Sequence, residues 1–327
     1  MKAMVYTRYG SPDGLELKEV DRPAAQVGEV LIKVYASSVN SWDWDLLRGR
    51  PYVARFSAVR RPKFRILGAD VAGRVEAVGG GVKRLQPGDE VFGDISGSGW
   101  GGFGEYVCAR EDVLALKPAG MTFEEAAAVP QAGVLALQGL RHRGQVQPGQ
   151  KVLVNGAGGG VGTFAVQIAK SYGAEVTGVD SAAKLDMLRS IGTDHVIDYT
   201  QEDFAKNGQL YDLVLDVVGY RSVFDCRRAL AAGGVYVMIG GATGRIAQTA
   251  LMGPFISRTS GKKMGLLLHK PNREDLDFVA ELVEAGKVAP VVGGRYSLSE
   301  VPEALRCIGE GRALGKLVIV VEGGGAE

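Results

Sequence analysis

The chain has 327 residues, 46% of them hydrophobic and 23% charged, with a formal net charge of +1. That length is more than one hydrophobic core serves comfortably and fits two domains, and the near-neutral charge removes any electrostatic case for nucleic acid or an anionic membrane surface as partner. No apolar run approaches the roughly 18 residues of a membrane-spanning helix. The opening MKAMVYTRYG alternates like a strand and lacks the apolar core of a secretory or transit peptide. Cys108, Cys226 and Cys307 are far apart and odd in number, which argues against a disulfide framework and makes a reducing, cytoplasmic location the expectation. Forty-eight glycines against 12 prolines fall singly or in short clusters, as turns between short elements do.

The first third reads as strands: KAMVYTRYG, LELKEV, EVLIKVYASSV, DVAGRVEAV, DEVFG and GEYVCA. SPDG, RPAAQVG, VGGG and QPGD separate them, the Gly, Pro and Asp clusters that make turns. A mainly β unit follows. From about residue 120 the rhythm changes. FEEAAAVPQAGVLALQGL reads as helical, KVLVN as a strand, and VGTFAVQIAKSYG as a helix ended by Gly173. EVTGVD and KLDMLRSIG repeat the strand and helix. HVIDY, YDLVLDVV and GVYVMIG are further apolar strands, with RSVFDCRRAL between the last two. Alternating strands and helices predict parallel βαβ units and a doubly wound sheet. NREDLDFVAELVEAG is a further helix, and KLVIVV a final strand placed to rejoin the β unit.

Gly156, Gly158, Gly159, Gly160 and Gly162 stand between the strand KVLVN and a helix beginning near Val161. Glycine lets the backbone turn sharply and lets a pyrophosphate approach amides with no Cβ in the way. The helix N-terminus then offers unpaired N–H groups and partial positive charge to the anion. Asp180 ends the next strand 18 residues beyond Gly162, near the offset at which a carboxylate meets the adenosine ribose. Strand, glycine turn, helix, strand and acidic residue in this order predict dinucleotide binding.

These segments together resemble the medium-chain dehydrogenase/reductase superfamily, specifically its zinc-independent quinone oxidoreductase branch. The resemblance runs nearly end to end: KAMVYTRYGSPDGLELKEV, ILGADVAGRVEAVG, PGDEVFG, GGFGEYV, AAAVPQAGVLALQGL, the glycine loop, GTDHVIDY, YDLVLDVVG and GRALGKLVIVV. It implies an α/β fold in which a Rossmann doubly wound parallel sheet domain, 120–287, is inserted in a GroES-like mainly β catalytic domain, 1–119 plus 288–327. By the same resemblance, the positions that hold Cys, His and Cys in zinc-dependent members are Asn40, Ala69 and Gln131, with Asp70 the surviving acidic neighbour. No four-cysteine lobe follows FGD. Zinc takes Cys, His and Asp/Glu ligands, so no zinc is expected. Without a Lewis acid, alcohol oxidation at neutral pH is hard, whereas hydride delivery to an already activated quinone or enone remains feasible.

The resemblance also weighs individual residues. Asn40 is a contact to a substrate carbonyl or the nicotinamide side, or a turn cap; an amide suits either. Asp43 joins a small polar network or serves as a helix N-terminal Asp. Trp42, Trp44 and Tyr52 wall a pocket for a flat acceptor or pack the core, and Gln131 lines the cleft. His195 reads as structural, at the start of a buried strand, and Cys108 and Cys226 as buried small hydrophobes. Gly219, Gly240 and Gly241 lie at strand C-terminal ends, where cofactors collect. Arg312 and Lys316 reach the pyrophosphate or form a solvated charged turn. At the adenosine end Asp180 favours NAD, while Ser181, Lys184 and Tyr199 fall where NADPH-using quinone oxidoreductases contact the 2′-phosphate; the balance expected is NADPH, with NAD possible. The implied protein is a zinc-free NADPH-dependent reductase of quinones or α,β-unsaturated carbonyls, a homodimer that takes its proton from water. A metal-free alcohol dehydrogenase and a non-catalytic NADPH-binding sensor or structural protein are the alternatives.

Overall fold

The computed structural model describes residues 1–50, 55, 58 and 61–321. In chain order its strands are β1 (Lys2–Val5), β2 (Glu16–Glu19), β3 (Glu29–Val39), β4 (Asp70–Val78), β5 (Glu90–Asp94), β6 (Tyr106–Arg110), β7 (Leu114–Leu116), β8 (Lys151–Asn155), β9 (Glu175–Asp180), β10 (His195–Asp198), β11 (Tyr211–Asp216), β12 (Leu230–Met238), β13 (Lys263–Leu266), β14 (Val292–Ser297) and β15 (Lys316–Val320). The helices are α1 (Ser41–Arg48), α2 (Phe123–Ala128), α3 (Pro130–Leu137), α4 (Gly160–Ser171), α5 (Leu185–Ser190), α6 (Val223–Ala229), α7 (Thr243–Ser260), α8 (Arg273–Glu284) and α9 (Val301–Gly309). No helix among the described residues is long and apolar enough to cross a membrane.

The chain divides into two compact units. The first holds Met1–Gln131, Pro271–Glu284 and Pro290–Glu327; the second holds Ala132–Lys270 and Ala285–Ala289. These limits differ from the expected 119/120 and 287/288. Residues 120–131 fall with the first unit because α2 packs on β3 and β4, and 271–284 do so because α8 packs against β7. The single helix expected across FEEAAAVPQAGVLALQGL is instead α2, α3 and a π-helical turn at Gln138–Arg143. Pro130 lacks the N–H a continuous helix would need and starts a new one.

In the first unit, a seven-stranded mixed sheet runs β14-β15-β3-β4-β5-β7, with β6 also paired to β3. The 11-residue β3 is its centre. Val30, Ile32 and Val34 alternate along it into a core shared with Val71, Val75, Val91 and Leu114, the period-two pattern of a half-buried strand. The last strand rejoins this unit as expected: β15 pairs antiparallel with β3, Leu317 opposite Val39. Leu317 and Ile319 fall on the side where α1 and α9 pack, in a second core with Leu46, Leu47, Val301 and Leu305.

In the second unit, six parallel strands run β10-β9-β8-β11-β12-β13. The order reverses direction between β8 and β11. Outside the carboxyl ends of two such strands an open α/β sheet leaves a crevice for a ligand. The expected strands KVLVN and EVTGVD are β8 and β9 with the same limits.

Candidate active site

The first unit builds a buried polar cluster where β3, β4, α3 and β15 meet. Asp70 heads β4 and is fully buried. Its Oδ2 accepts the Ser38 hydroxyl at 2.9 Å, the Asn40 Nδ2–H at 3.0 Å and the Lys316 ammonium at 3.1 Å, and its Oδ1 accepts the Gln131 backbone N–H at 3.0 Å. Burial pushes the Asp70 carboxyl above the usual range, Lys316 pulls it back and Asp94 pushes it up again. A second Lys316 proton is donated to Asn40 Oδ1 at 2.6 Å. The Gln131 carboxamide donates to Asp94 at 3.5 Å. Asn40, Gln131 and Asp70, joined with Ala69 only through the resemblance, are thus brought together.

Asp43 is corrected. It is fully buried, and its two oxygens accept the backbone N–H groups of Asn40 and Gly68, each at 2.8 Å. Each of its oxygens is occupied by main chain, and it ties the start of α1 to the strand entry before β4. Burial pushes its carboxyl up to about 7 against the pull of those two N–H groups and Lys316.

Lys316 is corrected too. It is 2% exposed and donates to Asn40, Asp70 and, at 3.4 Å, the Val39 carbonyl. All three ammonium protons are engaged inside the first unit, which leaves none for a pyrophosphate. Arg312 takes the solvated alternative, paired with Glu310 at 2.6 Å and Glu303 at 3.6 Å. Trp44 is no pocket wall: it packs on α9 so closely that a Cβ at Gly309 would lie 2.4 Å from its ring. Trp42 is partly exposed on the first turn of α1. Tyr52 lies outside the described residues.

The second unit carries the glycine loop between β8 and α4. Gly156 has φ +85°, in the left-handed region that a Cβ disfavours. A Cβ on Gly162 would lie 2.2 Å from the Gly156 carbonyl, so the helix sits directly on the loop. Gly160, Val161 and Gly162 form the first turn of α4, with Gly159 as its N-cap, and N–H groups there have no intrahelical acceptor. At Gly159 an added Cβ would meet only the Gly156 carbonyl at 3.6 Å, so open space lies over this part of the loop.

Asp180 ends β9 beside that loop. Its Oδ2 accepts the Gly158 N–H at 2.8 Å, its Oδ1 the Ser181 N–H at 2.9 Å, and Lys184 Nζ lies 3.5 Å from Oδ1. The Tyr199 N–H donates to the Asp180 carbonyl at 3.2 Å, which brings Tyr199 to the same corner with its side chain exposed. Ser181, Lys184 and Tyr199 therefore gather around Asp180. Gly219 (φ +51°) and Gly241 (φ +138°) cross so closely that a Cβ on Gly241 would lie 2.6 Å from the Gly219 Cα; Gly240 sits beside them.

One group escaped the sequence reading. Asp216, fully buried at the end of β11, accepts the Asn155 carboxamide at 2.8 Å, the Gly219 N–H at 2.8 Å and the Tyr236 hydroxyl at 2.9 Å. It ties the ends of β8 and β12 to the Gly219 turn. A terminal Asp on an apolar strand, YDLVLD, three residues before a glycine was the available signal. His195 is corrected: its side chain is exposed, with Nε2 3.1 Å from Glu175. Cys226 is fully buried, its thiol pushed up to about 12 by burial, and Cys108 is half-buried.

Among the described residues no group of three or more His, Cys, Asp or Glu is placed to hold a metal. The donors where the resemblance puts zinc ligands are two carboxamides and a methyl group, with an ammonium 3.1 Å from the remaining carboxylate, so this set does not fit a zinc ion. The glycine loop, the open N-terminus of α4 and the Asp180 corner do fit a dinucleotide.

Comparisons with known proteins place the chain among dehydrogenases and reductases. Residues 26–119 match the family "Alcohol dehydrogenase GroES-like domain" and residues 191–319 the family "Zinc-binding dehydrogenase". The chain is 37% identical to a 2-methylene-furan-3-one reductase of Solanum lycopersicum over 98% of its own length and 79% of the relative's. It is 35% identical to a chloroplastic NADPH-dependent alkenal/one oxidoreductase of Arabidopsis thaliana, again over 98% and 79%. The solved structure of a quinone oxidoreductase from Coxiella burnetii superposes with a TM-score of 0.90 at 30% identity, covering 98% of this chain and 99% of that one. The chain belongs to the medium-chain dehydrogenase/reductase superfamily and is an NAD(P)H-binding oxidoreductase of its quinone oxidoreductase branch.

Proposed function

We propose that the protein is a zinc-free, NADPH-preferring reductase of quinones or α,β-unsaturated carbonyls. The observation that carries this reading is the Lys316 ammonium held against Asp70 and Asn40, among neutral amides, where zinc-dependent relatives hold a dication. An internal cation there opposes a metal ion by repulsion and by competition for the one carboxylate. When bound, the reduced nicotinamide supplies a hydride to the β-carbon of the acceptor, whose electron pair moves onto its carbonyl oxygen while solvent supplies the proton. The chain's own contribution is position and hydrogen bonding. Asn40 is the donor to the acceptor's carbonyl oxygen, and Gln131 lines the same cluster. The loop 156–162 and the first turn of α4 hold the pyrophosphate.

NADPH over NADH is supported by Lys184. Its pairing with Asp180 offsets the carboxylate charge that would repel a 2′-phosphate, and the ammonium gives that phosphate a charge-assisted partner. The three cysteines, all free thiols, support a reducing compartment, and we place the protein in the cytoplasm. A homodimer is the assembly we propose. Support comes from exposed Leu251 and Phe255 on α7 and Leu268 just beyond β13, the strand at the end of the sheet.

The test is NADPH oxidation with a panel of quinones and enones, beside NAD(P)⁺ reduction with alcohols, each with and without a chelator. Chelator-insensitive turnover in the first arm is expected. Activity confined to the alcohol arm, or one tightly held zinc per chain lost together with activity, overturns the reading.

A further inference from the structure

We propose that Lys316 is a positioning residue that fixes and polarises the Asn40 carboxamide as the donor to the acceptor's carbonyl oxygen; the inference rests on the reductase reading above. β15 begins at Lys316 and pairs with the end of β3, Leu317 opposite Val39, which sets Lys316 against Asn40. A carboxamide can turn over by half a rotation, and its neighbours decide which end points where. Here the neighbours permit one answer. Lys316 has only donors to offer and the Asp70 carboxylate only acceptors, so Oδ1 faces Lys316 at 2.6 Å and Nδ2 faces Asp70 at 3.0 Å.

That leaves one N–H of Nδ2 with no protein partner among the described residues, on a residue that keeps 7% of its surface exposed. An ammonium on the amide oxygen draws electron density from the nitrogen and makes the remaining N–H a stronger donor. A donor held in place before the reaction needs no reorganisation as negative charge grows on the acceptor's oxygen. Without Lys316, Asn40 could present its oxygen to that charge, and Asp70 would be a buried anion without a counter-ion.

The experiment measures kcat with an enone, and the NADPH dissociation constant, for wild type, Lys316→Met, Lys316→Arg, Asn40→Ala and Asn40→Ala/Lys316→Met. Lys316→Met is expected to lower kcat about ten- to a hundredfold, the range of one charge-assisted hydrogen bond, with NADPH binding unchanged. Lys316→Arg recovers part of the loss. In the Asn40→Ala background Lys316→Met has no further effect, because both changes remove the same donor. If Lys316→Met does not fold, Asp70→Asn/Lys316→Met, which strands no charge, takes its place with the same expectation. A folded variant with kcat within about twofold of wild type, or losses that multiply with Asn40→Ala, overturns the proposal. So does weakened NADPH binding at unchanged kcat, which would return Lys316 to the pyrophosphate. Wild type that reduces no acceptor overturns the reductase reading itself, a result visible before any variant is made.

Discussion

Asp180 and Lys184 form a pair in which each residue limits what the other can do. A carboxylate has about four acceptor sites. Here the Gly158 and Ser181 N–H groups and Lys184 occupy three, which leaves room for one ribose hydroxyl. Lys184→Ala should weaken NADPH binding and spare NADH, because only NADPH brings a phosphate to the ammonium. Asp180→Asn, which keeps an acceptor for the loop and removes the charge, should raise the NADPH to NADH preference by about fivefold, or roughly 1 kcal/mol in a solvated setting. Dissociation constants for both cofactors at low salt decide this; tighter NADH than NADPH binding in wild type, with Lys184→Ala silent, would assign the site to NAD. Asp43 gives a pH test. Its native value of about 7 lies above that of a solvated aspartate, so the folded protein binds this proton more readily than the unfolded chain. The stability it contributes is complete below about pH 4 and is lost as pH rises through 7. Asp43→Asn leaves one of two backbone N–H groups facing an NH₂, a cost of about 1–3 kcal/mol. Urea denaturation should show that cost at pH 5 and a smaller one at pH 8, where the wild-type carboxyl is ionised in its buried site. An equal gap at both pH values would mean that Asp43 is charged throughout.

Among the elements, the glycine loop separates folding from binding at two neighbouring positions. A Cβ on Gly162 would lie 2.2 Å and 2.5 Å from the carbonyls of Gly156 and Ala157. Main chain must move to admit it, so Gly162→Ala should cost about 1–3 kcal/mol of stability and lower the melting temperature along with cofactor binding. Gly159 is extended (φ −89°, ψ 179°) and its added Cβ meets nothing closer than 3.6 Å. Gly159→Val should therefore melt within about 0.5 kcal/mol of wild type yet fail to show NADPH quenching of intrinsic fluorescence. Unchanged cofactor affinity in that variant would reduce the loop to a turn. The sequence made this loop legible because its signals are local, and β3, β4, β8 and β9 were legible for the same reason. Elements without local periodicity were not. α7 carries Gly253 and Pro254 inside it and has no clean apolar stripe, and β14 has two glycines directly after its first residue, Val292. α9 could have been found: Val301, Ala304, Leu305 and Ile308 recur at helical spacing behind the Ser297 and Glu300 capping box. The polar cluster was legible only by halves. Asn40 and Asp70 sit in recognisable segments, whereas Lys316 reaches them through a strand pairing between distant parts of the chain, which no local pattern records.

For the whole molecule, the open question is the second copy. In the second unit's sheet β10 and β13 are the edges. β10 carries exposed His195 paired with Glu175 at its start, whereas β13 has a single exposed lysine, Lys263, and apolar surroundings. Leu251 is 77% exposed and Phe255 61%, one turn apart on α7, and Leu268, just beyond β13, is 73% exposed. The Ser257 hydroxyl of α7 takes the outward Met264 N–H of β13 at 2.9 Å, so what is left uncovered is the group of exposed apolar side chains on and beside α7, the kind of patch that marks an interaction surface. A second copy packing on this face would remove these side chains from water, at about 25 cal/mol for each Å² of apolar surface buried. Sedimentation equilibrium of the wild type should return a dimer. Leu251→Glu/Phe255→Glu places two like charges on the surface to be covered and should shift the equilibrium to monomer by orders of magnitude in dissociation constant, since desolvating an unpaired charge costs several kcal/mol. NADPH binding should survive in that monomer, because the glycine loop and the Asp180 corner are built entirely within one chain. A wild type that sediments as a monomer, or a dimer indifferent to both substitutions, would mean that this face of α7 is not the dimer surface.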